Sequence, residues 1–281
     1  MGAIPAKLNE AFEKIRLGKV EEGTRLFDRV DAFDAVKSVA LAELSYFRHD
    51  WVWGIQFIRV FFESEHDWET VRYFMRGYKE LHLKVFLLCT CHLDSWKESR
   101  SYLQQLRKKY DTSSGYTGNY NNTNMYQQAI SLISDSENTK RLLLESSPKL
   151  KEKGKINLDY LKQIIKRAVP KRKHWRQSSY DDLTKHAYDK ASTEDHIVFY
   201  EQYIDQLEEA ETHQDAAKSY IALENEQGTK EAIRRYMRCW KFKEPFQVAP
   251  IVLFTDPELW PIMSDHRFSE SLLTIPHHRE S

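Results

Sequence analysis

Leu17-Gly18-Lys19-Val20-Glu21-Glu22-Gly23 and Arg48-His49-Asp50-Trp51-Val52-Trp53-Gly54 read as one turn met twice. Each follows a run whose apolar residues recur at three- and four-residue steps: Leu8, Ala11, Phe12 and Ile15 before the first, Val39, Ala42 and Tyr46 before the second. That is the spacing of one buried helix face. Superposing the turns puts Ala11, Gly23, Phe27 and Val30 over Ala42, Gly54, Ile58 and Phe61, each offset by 31 residues. Small side chains at the first two positions let paired helices approach closely, and large ones at the last two fill the gap to the next pair. From Leu8 to Lys109 the expectation is a stack of short helices joined as antiparallel hairpins, with another break at Ser64-Glu65-His66-Asp67.

Asn225-Glu226-Gln227-Gly228-Thr229-Lys230-Glu231-Ala232, between Tyr220 and Met237, reads as the same turn again. This pattern resembles the tetratricopeptide repeat, which sets small residues twelve apart across a tight turn and a large one four further on. The chain departs from it at Gly23 and Gly54, where the family carries Ala, and at Val30, Phe61 and Tyr220, which are large where the family is small. The likeness covers about 110 residues in non-contiguous stretches. It implies an all-α array of antiparallel helical hairpins whose business is binding another protein.

Beyond the hairpins, the polar stretch 111–124, from Asp111 through Ser113-Ser114-Gly115 to Asn122-Thr123-Asn124, has no aliphatic residue and divides the chain. It reads as a disordered connector or as a binding loop. The expected domains are a hairpin array over 1–110, this linker over 111–124, and a helical region with a closing segment over 125–281. Helices are expected near Met125 to Ser134, Glu137 to Glu145, Asn157 to Val169 and Thr193 to Glu211, followed by a hairpin to Trp240. Val248 to Phe254 reads as a short extended apolar stretch. Thr255-Asp256-Pro257-Glu258 reads as a capped helix start, and Ser264-Asp265-His266 as a second one ending near Leu273. The run Asp256 to Phe268 resembles the closing segment of bacterial helical-repeat proteins, which implies a cap over the last hairpin.

With 41% hydrophobic residues against 9 Gly and 8 Pro, the chain is too apolar for disorder and too poor in turn formers for a many-stranded β fold. Lys plus Arg and Asp plus Glu each number 42, so any electrostatic function must be local. No apolar run is long enough to span a membrane and no signal-peptide core opens the chain, so no membrane partner and a cytoplasmic location are expected. Three cysteines, two of them Cys89 and Cys91, fit a reducing compartment.

Catalytic motifs are missing: no phosphate-binding glycine loop, no Gly-x-Ser-x-Gly, no His-Glu-x-x-His, no Cys-x-x-Cys. Cys89-Thr90-Cys91-His92 could offer soft metal ligands, but its apolar flanks favour buried core thiols. His49-Asp50 and His66-Asp67 read as helix caps, and Glu208, Glu209, Glu211 and His213 as a solvated face. No catalytic residue, metal or cofactor is therefore expected.

Two features rise above that background. Eleven aromatics from Tyr46 to Tyr78, among them Trp51, Trp53, Phe57, Phe61, Phe62, Trp68, Tyr73 and Phe74, are more than one helix face can bury. With Arg59, Arg72 and Arg76 interspersed, the segment has the composition of a binding hot spot, with Trp51, Trp53, Arg59, Arg72 and Arg76 as its candidate residues. The second is charge segregation. Ser147 to Arg176 holds eleven Lys or Arg against Glu152 and Asp159, and Thr193 to Glu226 holds ten acids against Lys218. These blocks read as solvated faces that screen each other, as a basic site for nucleic acid, or as an acidic face toward a basic partner. Lys166, Arg167, Lys171, Arg172, Lys173, Trp175 and Arg176 would form the nucleic-acid site, since a ring among cations suits base stacking. The expected function is a non-enzymatic protein-interaction module, an adaptor or regulator. The alternatives are an immunity or inhibitor protein using the acidic helices, and a nucleic-acid-binding protein using 162–176.

Overall fold

A computed structural model of the chain describes residues 5–31, 33–63, 76–112, 126–133, 138–139, 173–242 and 246–277, with 76–80, 110–112 and 173–179 as backbone only. The regular structure among these residues is helical throughout. Six helices lie in the first part: α1 (Ala6–Arg16), α2 (Val20–Phe27), α3 (Asp34–Phe47), α4 (Trp51–Glu63), α5 (Arg76–His92) and α6 (Trp96–Thr112). Then follow α7 (Lys173–Lys190), α8 (Thr193–Tyr203), α9 (Ala210–Ala222) and α10 (Glu226–Cys239), and the short α11 (Val252–Thr255), α12 (Trp260–Met263) and α13 (His266–Leu272). Residues 126–132 are also helical. No described helix is long and apolar enough to cross a membrane.

Contacts divide the chain into two units, one of Met1–Ser146 with Phe242–Thr274, the other of Ser147–Lys241 with Ile275–Ser281. In the first, α1 packs on α2, α3 on α4 and α4 on α5, while α11 rests on α5 and α13 on α3. In the second, α7, α8 and α9 pack together and α9 packs on α10.

Four turns share one geometry. Gly18, His49, Asp94 and Glu224 each adopt a left-handed backbone, with φ of 77°, 52°, 49° and 56°. The N–H of the next residue, Lys19, Asp50, Ser95 or Asn225, returns to the carbonyl five residues earlier at 2.9 to 3.1 Å. That is a Schellman ending. The same next residue accepts the first bond of the following helix, from Gly23, Gly54, Ser99 or Thr229. In this common register Ala11, Ala42, Leu87 and Ala217 are buried, as are Phe27, Ile58, Leu103 and Ile233. Gly23 and Gly54, singled out in the sequence, are contact points: a Cβ on Gly23 would lie 2.6 Å from the Ala11 carbonyl oxygen, and one on Gly54 2.8 Å from the Tyr46 ring.

Buried polar groups fix the C-terminal segment onto the first unit. Glu43 on α3 is fully buried, and its Oε2 accepts the N–H groups of Val248 and Ala249 at 2.7 and 3.0 Å. The Arg16 Nε donates to the Gln247 carbonyl at 2.9 Å and its guanidinium stacks 3.6 Å from the Phe242 ring centre. Burial pushes the Glu43 carboxyl up to about 8, and holds His82, 3.7 Å from Glu43 Oε1, down to about 3. Burial thus favours the uncharged form of both side chains.

Three local expectations are revised. The extended stretch expected over Val248 to Phe254 does not run its full length: Val252–Thr255 is the helical turn α11, closed by the Leu253 and Phe254 N–H groups on the Pro250 and Ile251 carbonyls. The helix expected at Pro257 begins at Trp260, after a turn in which Asp256 accepts from the Glu258 N–H at 3.1 Å. The single helix expected over Thr193 to Glu211 is two, α8 and α9. Between them, Asp181 of α7 takes the N–H groups of Glu208 and Glu209 at 3.2 and 3.3 Å and the Thr212 hydroxyl at 2.8 Å. A carboxylate from another helix thus does the capping there. Asp265 caps α13 as expected, through the N–H groups of Arg267 and Phe268. The greater part of the 111–124 stretch and the helix expected at Asn157 to Val169 lie outside the described residues.

Candidate functional site

The aromatic segment sorts into three environments. Tyr46, Phe47, Phe61 and Phe62 are core residues of the first unit. Trp51 is half-buried in a column of stacked rings: His49 at 4.7 Å on one side, His92 at 4.8 Å on the other, and Trp260 at 5.2 Å beyond His92. The column joins the turn before α4, the end of α5 and the C-terminal α12. His49 anchors it, since Nε2–H donates to the Met263 carbonyl at 3.0 Å and lies 3.1 Å from Ser269 Oγ. Burial holds this imidazole below its ordinary range. The residue read from sequence as part of a capping turn is therefore a clamp on the C-terminal segment.

Trp53 faces outward. It is 52% exposed, stacks on Phe57 at 5.6 Å, and stands with Val52 at 49% and Val60 at 41% on the outer side of α4. The exposed Gln56 lies between them. Burying such a patch would gain about 25 cal/mol for each Å² of apolar surface removed from water. The other helix pairs provide an internal control. In the register set by the four turns, the positions of Val52, Trp53, Gln56 and Val60 hold Glu21, Glu22, Arg25 and Arg29 in the first pair. They hold Lys97, Glu98, Ser101 and Gln105 in the third, and Gln227, Gly228, Glu231 and Arg235 in the fourth. Apart from Gly228, the equivalent positions of the other three pairs are polar or charged, and an exposed patch of Val52, Trp53 and Val60 is found on α4 alone of the four.

Of the other candidate residues, Arg59 is half-buried with its guanidinium 4.6 Å from the Tyr102 ring centre, while the Tyr102 hydroxyl donates to the Arg59 carbonyl at 3.3 Å. Its Nε is buried and has no hydrogen-bond partner among the described residues. Arg72, Lys166, Arg167, Lys171 and Arg172 lie outside the described residues; Arg76 opens α5, and Lys173, Trp175 and Arg176 open α7, as backbone only. Trp51, Trp53 and Arg59 are thus brought together on one helix, with Trp51 spent on packing.

The second unit holds a nucleophile beside a base that the sequence reading did not connect. His213 is buried, with Nδ1 2.8 Å from the Tyr200 hydroxyl and Nε2 3.5 Å from Cys239 Sγ. Its chemistry is muted: burial lowers His213 to about 4 and raises the Cys239 thiol. A thiolate–imidazolium pair, the form that attacks electrophiles, is disfavoured at both partners. Cys89 is fully buried with its thiol raised far above the usual range, a core residue. Among the described residues no three His, Cys, Asp or Glu side chains are placed to share a metal ion.

Comparison with family models, with curated proteins and with solved structures finds no match to the chain.

Proposed function

We propose that the chain is a non-enzymatic protein-interaction module, an adaptor or regulator built as a tetratricopeptide-like array of helical hairpins, with the outer face of α4 as its docking surface. Support for the array comes from the four turns of one geometry and the small and large residues that recur around them. The docking reading is carried by one observation: the outer positions of α4 are Val52, Trp53 and Val60 where the other three pairs place polar or charged residues, Gly228 excepted. Large exposed rings next to a cation are the composition of interface hot spots. The neutral Cys239–His213 pair weighs against covalent catalysis at the best-placed nucleophile.

The test is capture from the native cell by chemical cross-linking, with nuclease-treated and untreated extracts, using the full chain and its Trp53→Ala and Val60→Ser variants. A discrete protein that is captured by the wild type, survives nuclease and is lost with both variants is the expected result. Capture of nucleic acid instead would favour the basic block at 162–176. A partner captured equally by all three chains would move the docking surface off α4.

A further inference from the structure

We propose that Cys239 and His213 are the two ligands of a low-coordinate site for a soft monovalent metal ion of the copper(I) class, held between α9 and α10 of the second unit.

His213 is a buried residue of α9, and Cys239 is the last residue of α10. The imidazole is aimed. With its proton on Nδ1 it donates to the Tyr200 hydroxyl oxygen at 2.8 Å, which turns the Nε2 lone pair toward Cys239 Sγ, 3.5 Å away. Metal-binding histidines are held in this way, by an outer partner that sets the tautomer and points the other nitrogen at the ion. At bond lengths of about 2.0 Å to nitrogen and about 2.3 Å to sulfur, one ion joins the two atoms as they stand at an angle of about 110°. Turning the Cys239 side chain outward opens that angle. His213 is 1% exposed and Cys239 is only half-buried, so the thiol is the way in.

Donor count and charge select the ion. Among the described residues no third His, Cys, Asp or Glu side chain is placed to share it, which leaves too few donors for zinc but enough for a soft ion that two ligands satisfy. Burial aside, Asp181 and Glu208 bear on the thiol with one sign and Arg235 and Arg238 with the other, so the surrounding charges offset each other. Loading exchanges a proton for the metal without oxidation: the S–H bond breaks, the S–metal bond forms and the proton leaves to water. Thiolate and monovalent ion then make a neutral pair beside a neutral imidazole, whereas a divalent ion would leave a net charge in a poorly hydrated place. The burial that disfavours a thiolate–imidazolium pair is compatible with this ligand set.

Anaerobic titration of the full chain with copper(I), in competition with bicinchoninate, tests this, with X-ray absorption reading the ligands. The wild type is expected to take up one copper(I) with one sulfur and one nitrogen neighbour. Cys239→Ser should lose that ion, and His213→Gln should weaken it at least tenfold and remove the nitrogen neighbour. Cys91→Ser, at the other half-buried thiol, should leave it unchanged. Thermal melts without metal show that each variant is folded, and one equivalent of copper(I) should raise the melting temperature of the wild type but not of Cys239→Ser. No uptake by the folded wild type, uptake that Cys239→Ser leaves unchanged, or a shell of sulfur alone overturns the site and leaves an ordinary thiol–imidazole hydrogen bond. Displacement of the copper(I) by an equal amount of zinc(II) overturns the choice of a soft monovalent ion.

Discussion

The first and second helix pairs are built on one register and differ at three equivalent places. Where α1 buries Phe12, packed 5.5 Å edge-on against Phe27, α3 buries Glu43. Where the first turn has Gly18, the second has His49 in the same left-handed backbone. Where the first pair shows Glu21, Glu22 and Arg25 on α2 and Arg29 in the turn just past it, α4 shows Val52, Trp53, Gln56 and Val60. The first pair follows the ordinary rules of a stable helix pair, with an apolar core, a glycine at the left-handed position and a charged outside. The second breaks each rule, and each breach has a partner: backbone N–H groups for Glu43, a carbonyl and a hydroxyl for His49, and, by our proposal, another protein surface for Trp53.

The largest effect that would sharpen this contrast is expected at Glu43. Glu43→Ala strips the acceptor from two buried N–H groups and should cost about 3–5 kcal/mol, with unsatisfied donors at about 1–3 kcal/mol each. Glu43→Gln keeps an acceptor oxygen and should cost about 1 kcal/mol at pH 7, since the native carboxyl is already protonated there. Urea unfolding of the two variants decides it, and equal losses would mean that the carboxyl's charge, not its acceptor, holds the segment.

Gly18→Ala comes next, at about 3 kcal/mol. The residue must keep its left-handed backbone, and its Cβ would lie 2.5 Å from the Thr274 carbonyl oxygen. His49→Gly relieves the same backbone strain but removes the clamp on Met263 and Ser269, and should cost about 1 kcal/mol. A stabilised His49→Gly would show that the clamp contributes nothing.

The acid at position 43 also predicts a pH signature that Phe12 cannot give. The folded Glu43 value, about 8, lies above its ordinary value of 4.5, so its contribution to stability is full below 4.5 and is lost as pH rises through 8. His82 runs the other way, about 3 against 6.5, adding stability as pH rises to 6.5 and nothing more above it. The two offset each other between pH 4.5 and 6.5, and below 4.5 only the His82 contribution changes. From 6.5 to 8 only Glu43 titrates, and stability should fall by about 2 kcal/mol at about 1.4 kcal/mol per pH unit. Urea midpoints measured across that range should fall for the wild type and stay level for Glu43→Gln.

The smallest effect concerns the outside of α4. Trp53→Ala should change stability by no more than about 0.5 kcal/mol, as for surface sites, against about 2 kcal/mol for Trp51→Ala in its ring column. Thermal melts of the two variants settle it, and a large loss at Trp53 would make that ring a core residue.

Three of the four turns were legible because they are local, while the one at Asp94-Ser95 carries no glycine to mark it. Gly18, Gly23 and Gly54 mark them, the apolar spacing on either side gives the helices, and both survive in the structure. The fate of the second turn's histidine was not, because His49 bonds to Met263 and Ser269, more than two hundred positions away. Glu43 reads in sequence as a polar interruption of an apolar face; only its pairing with Val248 and Ala249 explains its burial. The split between α8 and α9 escaped for the same reason: no Gly or Pro marks it, and its cap, Asp181, comes from another helix. The outward patch was half visible. Surplus aromatic residues announced that some rings must face out, but only the shared register separates Trp53 from Trp51.

The bond between Glu43 and Val248 spans 205 positions, and that has a consequence during synthesis. A ribosome adding about 5–20 residues per second needs about 10–40 seconds to travel that distance. For that interval the nascent α3 carries an acid with no amide groups to receive it, so Glu43 stays hydrated and ionised and the surface meant for 246–274 lies open. The first unit begins to form early yet reaches its final state only near the end of translation, a window in which a chaperone has a defined stretch of chain to shield.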